Sequence, residues 1–252
     1  MTEAPVEFAD VSYAWGSATP DRLSSDRLLR DVSLALAPGT TTALLGRSGS
    51  GKTTLMRMVN GLVMPNSGVV SVAGRPTTQW GLLDLRRSIG YVIQESGLFP
   101  HWTVARNVGL ALELAGKPCA VRVAEVLAMA GLDPSLADRY PWQLSGGQRQ
   151  RVGLARALAA DPGVLLMDEP FGALDPITRA EMQTMLKDLL GRVRKTVLLV
   201  THDLDEALYL ADRVVFLDQG EIVADLASTE VMQSEKTHVR AYISAVHRGG
   251  RA

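Results

Sequence analysis

One octapeptide constrains this chain more than any other feature. It reads Gly46-Arg47-Ser48-Gly49-Ser50-Gly51-Lys52-Thr53 and fits the pattern of a phosphate-binding loop, a glycine, four residues and Gly-Lys-Thr. The β-branched and apolar run 40–45 before it predicts a buried strand, and residues 54–60 after it predict a helix that ends near Gly61. Glycines let the backbone curl around a phosphate, and the free N–H groups of the helix start then point at it. The alternative is an ordinary Gly/Ser turn before a helix.

The last residues of the octapeptide suit a magnesium nucleotide. Lys52 would place a positive charge at the β- and γ-phosphates, and the Thr53 hydroxyl would ligate Mg²⁺. The candidate phosphate-binding residues are Gly46, Arg47, Ser48, Gly49, Ser50, Gly51, Lys52, Thr53 and Thr54.

Composition limits the surroundings of such a site. Net charge is −1, from 26 basic and 27 acidic residues, so there is no basic field that favours nucleic acid. The single cysteine, Cys119, excludes an internal disulfide and suits a reducing compartment. The N-terminus lacks the basic start and apolar run of a signal peptide, and no apolar stretch is long enough to span a bilayer. We therefore expect a cytosolic protein that reaches a membrane only through a partner.

The order of patterns predicts an α/β fold. Strand patterns dominate residues 6–45 and 61–93, helical periodicity dominates 95–160, and apolar runs alternate with helices over 161–227. The polar stretch 16–30 predicts an exposed loop. Alternating strands and helices imply a mostly parallel, covered sheet.

Two adjacent carboxylates end one of the apolar runs. Asp168 and Glu169 follow the strand predicted over 164–167, and neighbouring strand residues face opposite ways, so each can have its own task. Asp168 could bind Mg²⁺ and Glu169 could polarise the attacking water. The alternative is an exposed pair at the start of a loop. Gln94 and His202 also follow predicted strands and could touch Mg²⁺, the water or the γ-phosphate, although neither is specific alone.

A second anion-binding helix start lies at Leu144-Ser145-Gly146-Gly147-Gln148. Ser145 offers a hydroxyl, and the two glycines expose backbone N–H groups before a long helical pattern. The chain thus carries two phosphate-binding helix starts, of which one has the lysine, which suggests a nucleotide clamped between two chains. The alternative is a helix cap after a flexible turn.

Taken in order, these motifs resemble the ATP-binding subunit of ABC transporters. Residues 46–53 resemble Walker A, Gln94 the Q-loop, 144–148 the signature motif and 164–169 Walker B. Residues 173–175, ending in Asp175, resemble the D-loop, and His202 the switch histidine. Trp15 stands where the family usually has a stacking tyrosine, with Tyr13 as the alternative.

The resemblance implies a fold, a mechanism and partners. The fold is a single P-loop NTPase domain with an N-terminal antiparallel β sub-domain and an inserted α-helical sub-domain. The nucleotide-binding core would take 1–94 and 155–227, the helical sub-domain 95–154 and a C-terminal helical tail 228–252. Two subunits would form a head-to-tail homodimer that holds ATP and Mg²⁺ between Lys52 of one chain and Ser145–Gly147 of the other, with Thr53, Gln94 and Asp168 near the metal. Glu169, His202, Gln94 and Lys52 would be the catalytic residues, and Gln148 and Asp175 would join the nucleotide contacts.

Further partners follow from the same resemblance. Segment 95–104, which includes Phe99 and Trp102, would contact a membrane permease on the cytoplasmic face, and an extracytoplasmic solute-binding protein would complete the complex. The runs 89–101 and 167–179 resemble importers of glycine betaine, choline or carnitine, although the second run is shared with several importer groups. Amino acids, sulfonates or nitrate are the alternative solutes. Two other classes compete: a soluble ABC-type ATPase that acts on DNA or ribosomes, and a nucleotide-binding regulator without turnover.

Overall fold

The computed structural model describes residues 5–15, 27–94 and 96–249. The chain divides into two compact units, one of Met1–Leu82 with Leu198–Ala252 and the other of Leu83–Val197. The strands are β1 (Val6–Ala14), β2 (Arg27–Leu36), β3 (Thr41–Leu45), β4 (Ser67–Val72), β5 (Arg75–Pro76), β6 (Ile89–Val92), β7 (Val164–Asp168), β8 (Thr196–Thr201), β9 (Arg213–Asp218) and β10 (Glu221–Ala227). The α-helices are α1 (Lys52–Val59), α2 (Leu82–Ser88), α3 (Val104–Leu114), α4 (Ala120–Met129), α5 (Gly146–Leu158), α6 (Pro176–Val193), α7 (Leu204–Leu210) and α8 (Thr237–Gly249).

The first unit contains an antiparallel sheet of order β2-β1-β4-β5. Val6 of β1 pairs with Leu36 of β2 on one side and with Val72 of β4 on the other. The second half of β2 alternates between buried and exposed positions, as a sheet with one covered face requires.

The loop predicted over 16–30 is wrong for residues 27–30, which begin β2. Leu29 is fully buried and pairs with Tyr13 of β1. Burial of this side chain in the core therefore favours a strand here, although the neighbouring residues are polar. Residues 16–26 lie outside the described part of the chain.

The same unit carries the strands that lead into the phosphate loop. Their order is β10-β9-β3-β8, with β3 parallel to β9 and β9 antiparallel to β10. Every residue of β3 and of β8 is buried, as is usual for strands of a covered parallel sheet. Strands β9 and β10 form a hairpin, and its turn uses positive φ angles of 47° at Gln219 and 83° at Gly220.

The second unit contains the parallel pair β6 and β7 together with helices α3, α4, α5 and α6. Helix α5 lies close against β6, since a Cβ on Gly90 would stand 2.5 Å from the carbonyl oxygen of Ala157. Glycine at this position therefore permits the close approach of strand and helix. The predicted α/β class, with an antiparallel β part and a helical segment, is confirmed.

Candidate nucleotide-binding site

The phosphate loop connects β3 to α1, as the sequence predicts. Gly49 and Gly51 have φ angles of 81° and 101°, which side chains rarely allow. A Cβ on Gly46 would lie 2.1 Å from the carbonyl oxygen of Leu217, so the loop can pass β9 only as glycine. Gly51 is the N-cap of α1 and makes no side-chain hydrogen bond to the helix, so the N–H groups of the first turn point toward the loop.

Lys52 lies inside the loop rather than on its surface. It is 5% exposed, and its Nζ donates to the carbonyl oxygens of Gly46 at 2.9 Å and Arg47 at 2.8 Å. Among the described residues, the Ser50 Oγ is one of a few buried side-chain atoms without a hydrogen-bond partner. A buried ammonium, a buried hydroxyl that can still donate and a helix start without a side-chain cap together fit a phosphate group.

His202 lies directly after β8, exposed to solvent. Asp203, the next residue, caps α7 by accepting from the N–H of Glu206 at 3.1 Å. The hydroxyl of Tyr242, in α8, donates to the carbonyl oxygen of His202 at 2.6 Å. The histidine is thus placed by a strand end and a helix cap, and its backbone is held by a distant residue.

The two aromatic candidates lie at the end of β1. Tyr13 is half-buried inside the strand, whereas Trp15 follows the strand and is 69% exposed. Their rings meet edge to face, with centroids 5.4 Å apart and planes at 79°. Trp15 is therefore largely open to solvent and packs on one side against Tyr13.

In the second unit, Asp168 and Glu169 differ in backbone as well as in burial. Asp168 is the last residue of β7 and is 6% exposed, and the Tyr91 hydroxyl donates to its Oδ2 at 3.4 Å. Glu169 has left the strand with a φ angle of 44°, so the expectation that both carboxylates occupy strand positions is wrong. The two side chains point in different directions because Glu169 has a left-handed backbone conformation. That conformation costs about 1–2 kcal/mol for a residue with a side chain.

The structure brings Gln94 and Glu169 to one place. A Cβ on Gly172 would lie 3.9 Å from both the Gln94 Nε2 and the Glu169 Oε2, so the amide and the carboxylate flank the same glycine. The N–H of Gly172 also donates to the carbonyl oxygen of Glu169 at 3.2 Å, which holds the left-handed turn. Two of the candidate catalytic side chains are therefore neighbours within this unit.

The signature motif forms the start of α5. Ser145 is the N-cap, and its Oγ accepts from the N–H of Gln148 at 3.2 Å while its own N–H donates to the Gln148 Oε1 at 2.9 Å. This capping box engages the oxygen of the Ser145 hydroxyl but leaves its proton able to donate. Ser145 and Gly146 are exposed, so the hydroxyl and the helix start are open to a ligand.

Gly147 in that motif has no room for a side chain. A Cβ there would lie 2.7 Å from the Thr178 Cγ2 on α6. We expect Gly147→Ala to push α5 from α6, since overpacking costs about 1–3 kcal/mol, and to weaken the ATP-dependent dimerisation that the resemblance implies. Thr178→Ser removes the opposing methyl and should restore dimerisation in the double variant. Size-exclusion chromatography with Mg-ATP measures both, and a double variant no better than Gly147→Ala would contradict this reason.

Asp175 is the N-cap of α6. Its Oδ1 accepts from the N–H groups of Ile177 at 3.2 Å and Thr178 at 3.1 Å. Hydrogen bonds from Thr178 lower the pKa of this carboxyl below its ordinary value. The carboxylate is therefore ionised at neutral pH and fixes the start of α6.

Sequence patterns did not single out two residues that organise segment 96–104. Arg156 of α5 donates to the carbonyl oxygens of Ser96 and Gly97, each at 2.7 Å, and burial lowers its pKa. Asn107 is fully buried. Its Oδ1 accepts from the N–H of Phe99 at 2.8 Å, and its Nδ2 donates to the carbonyl oxygen of Phe99 at 3.1 Å. A polar residue on the apolar face of a predicted helix is the signal that could have indicated each.

Comparison with known proteins agrees with this arrangement of motifs. The ABC transporter family matches residues 29–172. The glycine betaine uptake system ATP-binding protein YehX of Escherichia coli (strain K12) is 48% identical over 86% of this chain and 69% of its own length. The glycine betaine/carnitine/choline transport ATP-binding protein OpuCA of Bacillus subtilis (strain 168) is 46% identical over 82% and 56%. The Fe(3+) ions import ATP-binding protein FbpC 2 of Rhodococcus jostii (strain RHA1) is 48% identical over 88% and 62%.

Solved structures give the same answer for the fold. The dimeric ATP-binding cassette MJ0796, in a post-hydrolysis state bound to ADP and Pi, superposes with a TM-score of 0.76 at 33% identity, covering 88% of this chain and 98% of that one. The fold is that of a P-loop NTPase of the ATP-binding cassette type. The chain belongs to the ABC transporter family, whose ATP-binding cassettes are ATPases. It spans little more than half the length of some of its curated relatives.

Proposed function

We propose that this chain hydrolyses ATP to drive solute import through a membrane permease, and that the solutes are quaternary-amine osmoprotectants. The proposal rests on three relatives that are 46–48% identical to this chain. They are the ATP-binding proteins of transport systems for glycine betaine, choline or carnitine. The iron-import relative is equally identical, at 48%, so Fe³⁺ is the competing solute. The run 89–101, which resembles the osmoprotectant group, favours the first choice.

The residues of the first unit would bind the nucleotide. Lys52, Ser50 and the N–H groups at the start of α1 would hold the phosphates, and Thr53 would contribute its hydroxyl to the metal. His202 would hydrogen-bond the γ-phosphate. Mg²⁺ would neutralise charge on the phosphates, which is the chemistry it supplies in phosphoryl transfer.

The residues of the second unit would carry out the hydrolysis. Asp168, buried at the end of β7, would hold the metal with Gln94. Glu169 would accept the proton of the attacking water, and its position beside Gln94 supports a shared role in orienting that water. A positioned base of this kind contributes about 10²–10⁴ in rate.

We propose further that two copies share each nucleotide. The exposed hydroxyl of Ser145 and the N–H groups of Gly146 and Gly147 would contact the nucleotide held by Lys52 of the other copy, while Gln148 and Asp175 would shape that contact through their caps. The dimeric cassette MJ0796 supports this assembly. The domain division proposed from the sequence, with a helical part at 95–154, would let the signature motif move as nucleotide binds.

Contact with the permease would fall on the aromatic ledge formed by Phe99 and Trp102. Their rings stack with centroids 4.3 Å apart, and the Arg106 guanidinium lies 4.2 Å from the centre of the Trp102 ring. Phe99 is 44% exposed although Asn107 holds its backbone, so the ledge is ordered before any partner arrives. No helix in the described ranges is both long and apolar enough to cross a bilayer. In this proposal the permease would attach the chain to the cytoplasmic face of the membrane, and an extracytoplasmic binding protein would deliver the solute.

We expect Trp15 to stack on the adenine ring. Base–aromatic stacking contributes about 1–3 kcal/mol, so Trp15→Ala should raise the KM for ATP about tenfold and leave kcat near the wild-type value. Trp15→Tyr should retain most of the affinity. Steady-state ATPase assays measure both. An unchanged KM for Trp15→Ala together with a raised KM for Tyr13→Leu would assign the stacking to Tyr13 instead.

The transport function is tested in cells of the source organism that lack this chain. Uptake of radiolabelled glycine betaine, choline or carnitine at high osmolarity should fall, and wild-type protein but not the Glu169→Gln variant should restore it. Uptake of Fe³⁺ is measured in parallel. Unchanged osmoprotectant uptake with reduced iron uptake would assign the chain to the competing solute.

A further inference from the structure

One peptide unit beside the candidate γ-phosphate contact is held at both of its polar groups. The Tyr242 hydroxyl donates to the carbonyl oxygen of His202 at 2.6 Å, a short and therefore well-formed O–H···O contact. The N–H of the same peptide, which belongs to Asp203, donates to the Thr201 Oγ1 at 3.0 Å. Together these bonds fix the ψ angle of His202 and the φ angle of Asp203.

The two bonds come from different parts of the chain. The one from Asp203 to Thr201 is local and forms whenever β8 runs into α7. The one from Tyr242 spans 40 residues and depends on α8 lying beside the end of β8. Helix α8 therefore adds a constraint on His202 that the strand and its following helix do not supply.

Tyr242 is itself held firmly. Its ring packs edge to face on Phe216, with centroids 5.8 Å apart and planes at 78°, and Phe216 is 3% exposed. Both belong to a cluster that includes Leu45 of β3, Leu204 of α7 and Val239 of α8. The same hydrophobic cluster therefore positions both β3, which leads into the phosphate loop, and the Tyr242 hydroxyl.

A second contact ties α8 to the same edge. The His238 Nδ1 lies 3.5 Å from the Asp218 Oδ2 at the end of β9, one turn before Tyr242 on the helix. Gly46 and Arg47 of the phosphate loop line a cavity together with Asp218, His238 and Tyr242. Helix α8 consequently borders both the loop and the residue that follows β8.

We propose that Tyr242 is a positioning residue for His202 in ATP hydrolysis, a role that rests on the function proposed above. By fixing the backbone of His202, the hydroxyl sets the direction from which the imidazole approaches the γ-phosphate. Small misplacements of a catalytic group cost much in rate, because the chemistry depends on positioned groups.

The test is Tyr242→Phe in the full-length chain, which removes the donor and keeps the ring on Phe216. We expect kcat to fall about three- to tenfold, the effect of one lost hydrogen bond. The KM for ATP should stay within about twofold of the wild-type value, since binding contacts are retained. Tyr209→Phe, the same change on α7, is the control and should hydrolyse ATP at the wild-type rate. A Tyr242→Phe variant with wild-type kcat overturns the proposal.

A double-mutant cycle separates positioning from general support of the fold. In single-turnover assays with excess protein, Tyr242→Phe should cause no further loss in a His202→Ala background, because its effect passes through His202. Losses that multiply would show that Tyr242 acts independently and would overturn the role. A wild-type chain that does not hydrolyse ATP would overturn the proposed function itself. If the wild type is active and Tyr242→Phe has the same kcat, only the positioning role is overturned.

Discussion

Replacing Lys52 with alanine should abolish productive binding of Mg-ATP. The Lys52 ammonium is buried inside the phosphate loop, bonded to the carbonyl oxygens of Gly46 and Arg47. Truncating one partner of a buried, hydrogen-bonded charge pair costs about 2–5 kcal/mol, which corresponds to an affinity loss of about 30- to 4,000-fold. Isothermal titration with ATP and Mg²⁺ measures the loss, and turnover should fall below detection at cellular nucleotide levels.

A second largely buried lysine provides the matched control. Lys195 lies 2.9 Å from the Asp161 Oδ1, and its hydrogen bond lowers the pKa of that carboxyl. Lys195→Ala should lower the Tm while ATP affinity and turnover stay near wild type, because it is not part of the phosphate loop. If Lys52→Ala binds ATP with wild-type affinity, the loop does not hold the phosphates and the assignment of the site is wrong.

Local patterns sufficed for the phosphate loop and its flanks. A glycine spacing, a buried apolar run and a helical pattern are adjacent in sequence, so their physical relation follows from neighbouring residues alone. Ser145 as a helix N-cap and the hairpin across Gln219 and Gly220 were predictable for the same reason. In each case the element is specified by residues within a few positions of one another.

Contacts between distant segments were not predictable in this way. Tyr242 and His202 are 40 residues apart, and Arg156 reaches Ser96 across 60. Nothing local in either pair indicates the partner, because the contact exists only once the helices have packed. The left-handed backbone of Glu169 was likewise hidden, since glutamate has no preference for that conformation and the bond from Gly172 imposes it.

The position of Glu169 shows how the fold prepares a base. The strand β7 ends at Asp168, and the turn that follows directs the next carboxylate away from the strand axis toward Gln94. Such strain persists only where surrounding contacts impose it, and it concentrates at functional sites. Because glutamine adopts the same backbone as glutamate, a substitution there can remove the charge without changing the turn.

Glu169→Gln should therefore retain ATP binding and lose turnover. Loss of a positioned base lowers the rate by about 10²–10⁴, and the variant should accumulate as a dimer clamped on ATP because reopening follows hydrolysis. A phosphate-release assay measures the rate, and size-exclusion chromatography with Mg-ATP measures the dimer. Glu181→Gln, the same change at an exposed position of α6, should behave as wild type.

The clamped dimer also tests whether both halves of the site act on one nucleotide. Adding Lys52→Ala to Glu169→Gln should return the protein to monomers, since the dimer then has no bound ATP to close around. Hydrolysis by Glu169→Gln at the wild-type rate would mean that another group accepts the proton of the attacking water. A Glu169→Gln dimer that forms equally well without ATP would show that the signature motif does not close on nucleotide.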